Sequence, residues 1–185
     1  SFVRRSEDPL HKIPEMIAWN QYYGWYYTKP HKLGDFLDQI HEEKPGYKIG
    51  VSEYGAGGSV MHHEEKIRRP FPIFHEWHPE EYQTTVHEGN WKVINDRDYI
   101  WGSYIWNMFD FGSHFRREGD AIGMNDKGMV SYDRKTKKDV FFFYKANWSP
   151  KPVIHLTNSR FKIRKRDKIK VKVYSNLSDV ELFVN

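Results

Sequence analysis

Three short apolar runs, each breaking into a polar or glycine-rich stretch, set the rhythm of the first three quarters of the chain. Met16, Ile17, Ala18 and Trp19 read as a strand that ends in the polar and aromatic loop Asn20-Gln21-Tyr22-Tyr23-Gly24-Trp25-Tyr26-Tyr27. After Pro30, the residues Leu33, Phe36, Leu37 and Ile40 recur at i, i+3, i+4 and i+7. That is the stripe of an amphipathic helix, and Lys44-Pro45-Gly46 stops it. The second run, Ile49, Gly50 and Val51, is too short for a helix and delivers Glu53 into a turn containing Gly55, Gly57 and Gly58. A long loop follows, Ala56 to His78, with Arg69-Pro70-Phe71-Pro72 inside it. Pro79 at a first helical position, with Glu80 and Glu81 at the positive end of the dipole, opens a second helix. It runs to about Asp96 and turns Tyr82, Val86, Val93 and Ile94 inward, while Gly89 should weaken it by about 1 kcal/mol relative to alanine. Tyr99 to Trp106 is a third strand, apolar enough to predict cover on both faces, and it ends in Asn107-Met108-Phe109-Asp110-Phe111-Gly112. A further loop, Gly123 to Gly128, precedes a closing helix over Asp139 to Trp148. Successive units of strand, loop and helix predict parallel α/β construction.

At Ser149-Pro150-Lys151-Pro152 the pattern changes. Val153 to Leu156, Phe161 to Ile163, Ile169 to Tyr174 and Val180 to Val184 read as short strands with no helices between them, the habit of an antiparallel sandwich. About four such strands fit, fewer than the roughly seven of a complete sandwich. The predicted division is therefore 1–148 and 149–185, the second part incomplete.

Composition narrows the chemistry only in places. Of 185 residues, 7 are Trp, 12 Tyr and 12 Phe; rings fill cores, and those with a polar tip also suit the flat faces of sugars. The absence of cysteine removes disulfides and thiolate metal sites without naming a compartment, and cytoplasmic, periplasmic and secreted locations all stay compatible. No apolar stretch approaches the roughly 18 residues of a membrane span. The net charge of +4 comes mainly from Arg160 to Lys172. There, charges alternate with Ile169, Val171 and Val173, which predicts the solvated face of a half-buried strand ahead of a nucleic-acid patch. His62-His63-Glu64-Glu65 and His75-Glu76-Trp77-His78 lack the spacing that places two imidazoles on one helical face, and both read as polar loop residues without a metal.

A carboxylate at a strand end followed by glycines is where catalytic side chains sit in an α/β barrel. The stretches around it resemble glycoside hydrolase family 2, the β-galactosidases, β-glucuronidases and β-mannosidases. Ser52-Glu53-Tyr54-Gly55 is similar to the family's nucleophile strand, the seventh of its barrel. Gly102-Ser103-Tyr104-Ile105-Trp106-Asn107-Met108-Phe109-Asp110-Phe111 is similar to the eighth, and Asn20-Gln21-Tyr22-Tyr23-Gly24-Trp25 to the sixth. The resemblance implies a partial (β/α)8 TIM barrel, about strands 6 to 8, followed by the start of an immunoglobulin-like domain. It implies Glu53 as the nucleophile of a retaining mechanism, kept ionised by a hydrogen bond from Tyr22. It further implies Asn20, Tyr22, Trp106, Asn125 and Lys127 as substrate-binding residues, with Trp106 lining the sugar and Asn125 on its far side. The partner implied is a β-linked sugar or oligosaccharide; no organic cofactor is called for, and a cation near the sugar stays open.

The departures are as informative. In the family the acid/base glutamate follows an asparagine at the end of the fourth strand, and no Asn-Glu pair occurs in this sequence. Glu7, Glu15 and Glu118 stand in the wrong context to replace it. The first five barrel strands have no counterpart either, so the chain is expected to be a piece, inactive alone, with strand edges open to self-association. For the parent, Asn125-Asp126-Lys127-Gly128 with Tyr132-Asp133-Arg134-Lys135 resembles bacterial β-galactosidases. β-Glucuronidase is the alternative, since Asn125 and Lys127 are spaced as in the motif with which those enzymes hold a sugar carboxylate. A non-catalytic carbohydrate-binding or assembly module is the third.

Overall fold

The computed structural model describes residues 9–71 and 75–184; Glu7 and Pro72 of the sequence reading lie outside them. Strand β1 (Met16–Asn20), helix α1 (Lys32–Glu43), strand β2 (Lys48–Tyr54), helix α2 (Glu80–Asn95) and strand β3 (Ile100–Ile105) alternate along the chain. The strands form one parallel sheet in the order β1-β2-β3. Parallel neighbours cannot be joined by a tight turn, and a helix spans each crossover.

Helix α1 buries Leu33 and Leu37 completely and Ile40 to 4% exposure. These meet Ile17 and Trp19 of β1 and Ile49 and Val51 of β2 in the main core, each side chain of this kind stabilising by about 1.5–3 kcal/mol. The turn after α2 clamps the outer side of α1, where Arg97 donates to both Asp38 carboxylate oxygens at 2.7 and 2.5 Å. Helix α2 turns Tyr82, Val86 and Ile94 inward as its pattern predicts. Gly89 has a packing reason, because a Cβ there would lie 2.6 Å from the Cβ of Pro30. Glu80 and Glu81 are buried at the start of α2. They answer specific donors, the Asp139 N–H and Arg160 for Glu80, and His63 and the Glu64 N–H for Glu81.

Two expectations need correction. Strand β3 is covered on one face only, with Trp101 41% and Tyr104 56% exposed. It lies at the edge of the sheet, where apolar content reflects strand propensity without cover. Beyond helix α3 (Asp139–Trp148), only β6 (Ile154–Leu156) and β7 (Val173–Ser175) form an antiparallel pair. Residues 161–163 and 180–184 are not strands, and Ile169 and Val171 are about half exposed. Alternation makes a half-buried strand only where something covers the apolar face; the β6–β7 pair has such cover, Phe143 of α3 packing edge-on against Tyr174 at 5.4 Å, whereas Ile169 and Val171 do not. The short strands β4 (Phe111–Gly112) and β5 (Met124–Asn125) pair antiparallel and carry the loop between them over the carboxyl ends of the main sheet.

Candidate active site

The register of the sheet aims the central carboxylate. Trp19 pairs with Val51 but Asn20 pairs with Glu53, so one extra residue bulges from β2. Two successive side chains then address the end of β1. The Ser52 hydroxyl donates to Asn20 Oδ1 at 2.6 Å, and Tyr22 OH donates to Glu53 Oε2 at 2.6 Å. Tyr22 is held by its own aromatic loop, its N–H donating to the Tyr27 hydroxyl at 2.9 Å and its ring packing edge-on against Tyr26. Burial, then the bond to Glu53, pushes the Tyr22 phenol far above its usual range, so it remains a neutral donor.

Immediately after β2, Gly55 adopts φ +147°, and a Cβ there would lie 2.6 Å from the Trp106 carbonyl oxygen. Only glycine lets the two strand ends come this close. Trp106 thereby stands beside Glu53, its ring edge-on to Phe111 at 5.9 Å, and the Trp106–Asn107 peptide is cis.

Two buried lysines shape the far side, Lys127 lining the cavity and Lys138 lying behind it. Lys138 Nζ donates to Gly58 O, Asp110 Oδ1 and Asp126 O at 2.6 to 2.9 Å. One ammonium thus joins the glycine-rich turn to the segment carrying Asn125 and Lys127. Burial pushes the Asp110 carboxyl up to about 6 although Lys138 lies beside it. Burial would also raise Asp126, but a 2.7 Å hydrogen bond with His78 and the charges of Lys138 and Lys127 hold it below the usual range. His78, read from sequence as a polar loop residue, is fully buried. Asn125 Oδ1 accepts the Lys127 N–H at 3.1 Å. Lys127 itself is 1% exposed, its Nζ without a hydrogen-bond partner among the described residues and 5.3 and 5.4 Å above the rings of Trp25 and Tyr26.

All six residues singled out from sequence, Asn20, Tyr22, Glu53, Trp106, Asn125 and Lys127, line one cavity of about 290 Å³. Tyr26, Tyr27, Phe111, Ser113 and Arg116 complete its wall. The two tyrosines belong to a loop already marked as aromatic; Arg116 sits in a stretch with no periodicity, and nothing in its neighbours signals it. Among the described residues no cluster of His, Asp and Glu could hold a metal ion, and no helix is long and apolar enough to cross a membrane.

A β-glucuronidase of Bacteroides fragilis is 46% identical over 177 residues, covering 95% of this chain and 25% of that protein. The structure of Bacteroides uniformis β-glucuronidase 2 covalently bound to cyclophellitol-6-carboxylate aziridine superposes with a TM-score of 0.76. It is 32% identical, over 92% of this chain and 20% of that one. The chain belongs with the glycoside hydrolases of family 2. A β-galactosidase of Bacteroides ovatus is 33% identical over 101 residues, covering 54% of this chain and 12% of that protein, so relatives of this family 2 chain carry both sugar names. The chain spans about a quarter of the length of the first two curated relatives it matches. No protein-family model matches it.

Proposed function

We propose that the chain is the nucleophile-bearing segment of a retaining β-glucuronidase. Residues 1–148 would supply the last three strands of its (β/α)8 barrel and 149–185 the opening of an immunoglobulin-like domain. The observation that carries the sugar assignment is Lys127, a desolvated ammonium in the cavity wall with no hydrogen-bond acceptor among the described residues, the Glu118 carboxylate standing 3.5 Å behind it. A neutral sugar offers such a cation little, whereas a C6 carboxylate gives it a charge-assisted hydrogen bond in a dry site. The B. fragilis relative and the covalent complex of the B. uniformis enzyme add support.

In this reading Glu53 attacks the anomeric carbon while Tyr22 holds its second oxygen. The glycosidic C–O bond breaks as a second carboxylate protonates the leaving oxygen, and water then hydrolyses the glycosyl ester with that group as base. The second carboxylate would come from the rest of the enzyme, since Glu15 and Glu118 do not line the cavity. β-Galactosidase is the second reading, favoured by the B. ovatus match and by the residues flanking Asn125.

Turnover of nitrophenyl β-glucuronide and β-galactoside by the full-length enzyme decides between them. Glu53→Gln should abolish turnover on either, and the 185-residue chain alone should give none, lacking a general acid worth about 10² to 10⁴-fold. Lys127→Ala should cost at least about thirtyfold on the glucuronide and leave the galactoside unchanged, because it removes one partner of a buried charge pair. Faster wild-type hydrolysis of the galactoside would transfer the assignment to the second reading.

A further inference from the structure

Behind the cavity wall lies a carboxylate that the proposed reaction does not use. Glu118 is 3% exposed and lies behind two lining residues, its Oε1 2.8 Å from Arg116 NH1 and 3.5 Å from Lys127 Nζ. The second distance is an ion pair without a hydrogen bond, which leaves the Lys127 N–H groups unspent. Arg116 is similarly half committed, the other side-chain hydrogen bond of its guanidinium among the described residues being 3.4 Å to Tyr26 OH. The geometry is set locally. Gly119 takes φ +73°, and a Cβ on it would meet Asp126 Oδ2 at 2.5 Å, so this loop packs directly on the residue preceding Lys127. The Gly119 N–H also donates to His75 O at 3.0 Å, and β4 and β5 pin the loop at its base.

Resting on the uronate reading of the cavity, we infer that Glu118 is the residue that sets how tightly the site holds an anion. It is an internal carboxylate shared by the two cations an incoming sugar carboxylate would contact. In the empty cavity it neutralises one of two positive charges that would otherwise face each other in a nearly dry wall. With a uronate bound it becomes a like charge a few ångström from the ligand, opposing binding. The site is thereby selective for an acid but does not retain it as product. Glu118 acts through Arg116 and Lys127 and is a positioning and tuning residue.

The test is titration of the full-length enzyme with glucuronate and with galactose, comparing wild type, Glu118→Gln and Lys127→Ala. Glu118→Gln keeps the shape and removes the charge. Glucuronate affinity should rise at least roughly tenfold, the limit for one unit charge removed about 4 Å away at an effective dielectric near 20 being about a thousandfold, and galactose affinity should not change. A residue needed only for folding or packing cannot produce that gain. Unchanged or weaker glucuronate binding in Glu118→Gln, with Lys127→Ala still removing the preference for the acid, overturns the role of Glu118 and leaves the uronate reading standing. A wild type that does not prefer glucuronate to galactose, and is indifferent to Lys127→Ala, overturns both. Should Glu118→Gln fail to fold, Glu118→Ala carries the same expectation.

Discussion

His87 shows how little room the surroundings of Glu53 leave for a new charge. It is completely buried beneath the Gly55 turn, its Nδ1 3.0 Å from the Tyr144 hydroxyl, and its Nε2 accepts the Ala56 N–H at 3.4 Å. Burial, reinforced by the Lys138 ammonium, pushes the imidazole down to about 3. The unfolded chain binds a proton below the ordinary histidine value of about 6.5 that the folded chain refuses until about 3, so stability falls as pH drops through that window. Between pH 7 and pH 5 the loss should be about 2 kcal/mol. Chemical unfolding across this range should show it as the difference in pH dependence between wild type and His87→Gln, in which the Asp, Glu and other His titrations common to both cancel. An identical pH slope in the variant would mean that the imidazole accepts its proton in the native state.

Segments far apart in sequence are joined by a few charged side chains where helix ends meet. Arg160, from the segment after β6, donates to Glu80 at the start of α2 and to Asp139 at the start of α3. His155 Nε2 lies 2.9 Å from the same Asp139, and the Asn158 N–H donates to it at 2.7 Å. Both carboxylate side chains are 1% exposed, so their charges are tolerated only while these donors are present. Arg160→Ala should destabilise the chain by about 3 kcal/mol, the low end for a broken buried pair because Arg160 is itself partly exposed. The urea midpoint measures this, and a shift no larger than that of an ordinary surface mutation would mean that water replaces the guanidinium. The sequence alone reads Arg160 as one more member of a basic, solvated run. Its neighbours Lys165, Arg166, Lys168 and Lys170 fit that description, and Arg160 does not.

The sheet as a whole has two open edges among the described residues, β1 and β3, and β3 exposes Trp101 and Tyr104 beside unpaired backbone groups. Such an edge templates pairing with another chain. Sedimentation of the 185-residue chain should give an apparent mass that rises with concentration, and Tyr104→Lys should reduce the rise by placing a charge on the edge. A strictly monomeric wild type at high micromolar concentration would show the edge to be protected. The parallel units and their helices were legible because periodicity is a local property: Leu33, Phe36, Leu37 and Ile40 declare one face of a helix before any fold is known. Glu53 was legible for a related reason, since an apolar run closing on three glycines marks a strand end whatever surrounds it. The cover over β3, the strands expected after Ser149, and the identity of buried charges were not legible in the same way. Burial belongs to whatever packs against a residue, and for Lys127, Arg116 and Glu118 those neighbours come from loops, with no repeat to announce them. Chain order thus determined which segments are strands and helices and which carboxylate ends a strand, and packing across the sheet decided which charges lose their water and so what the cavity can hold.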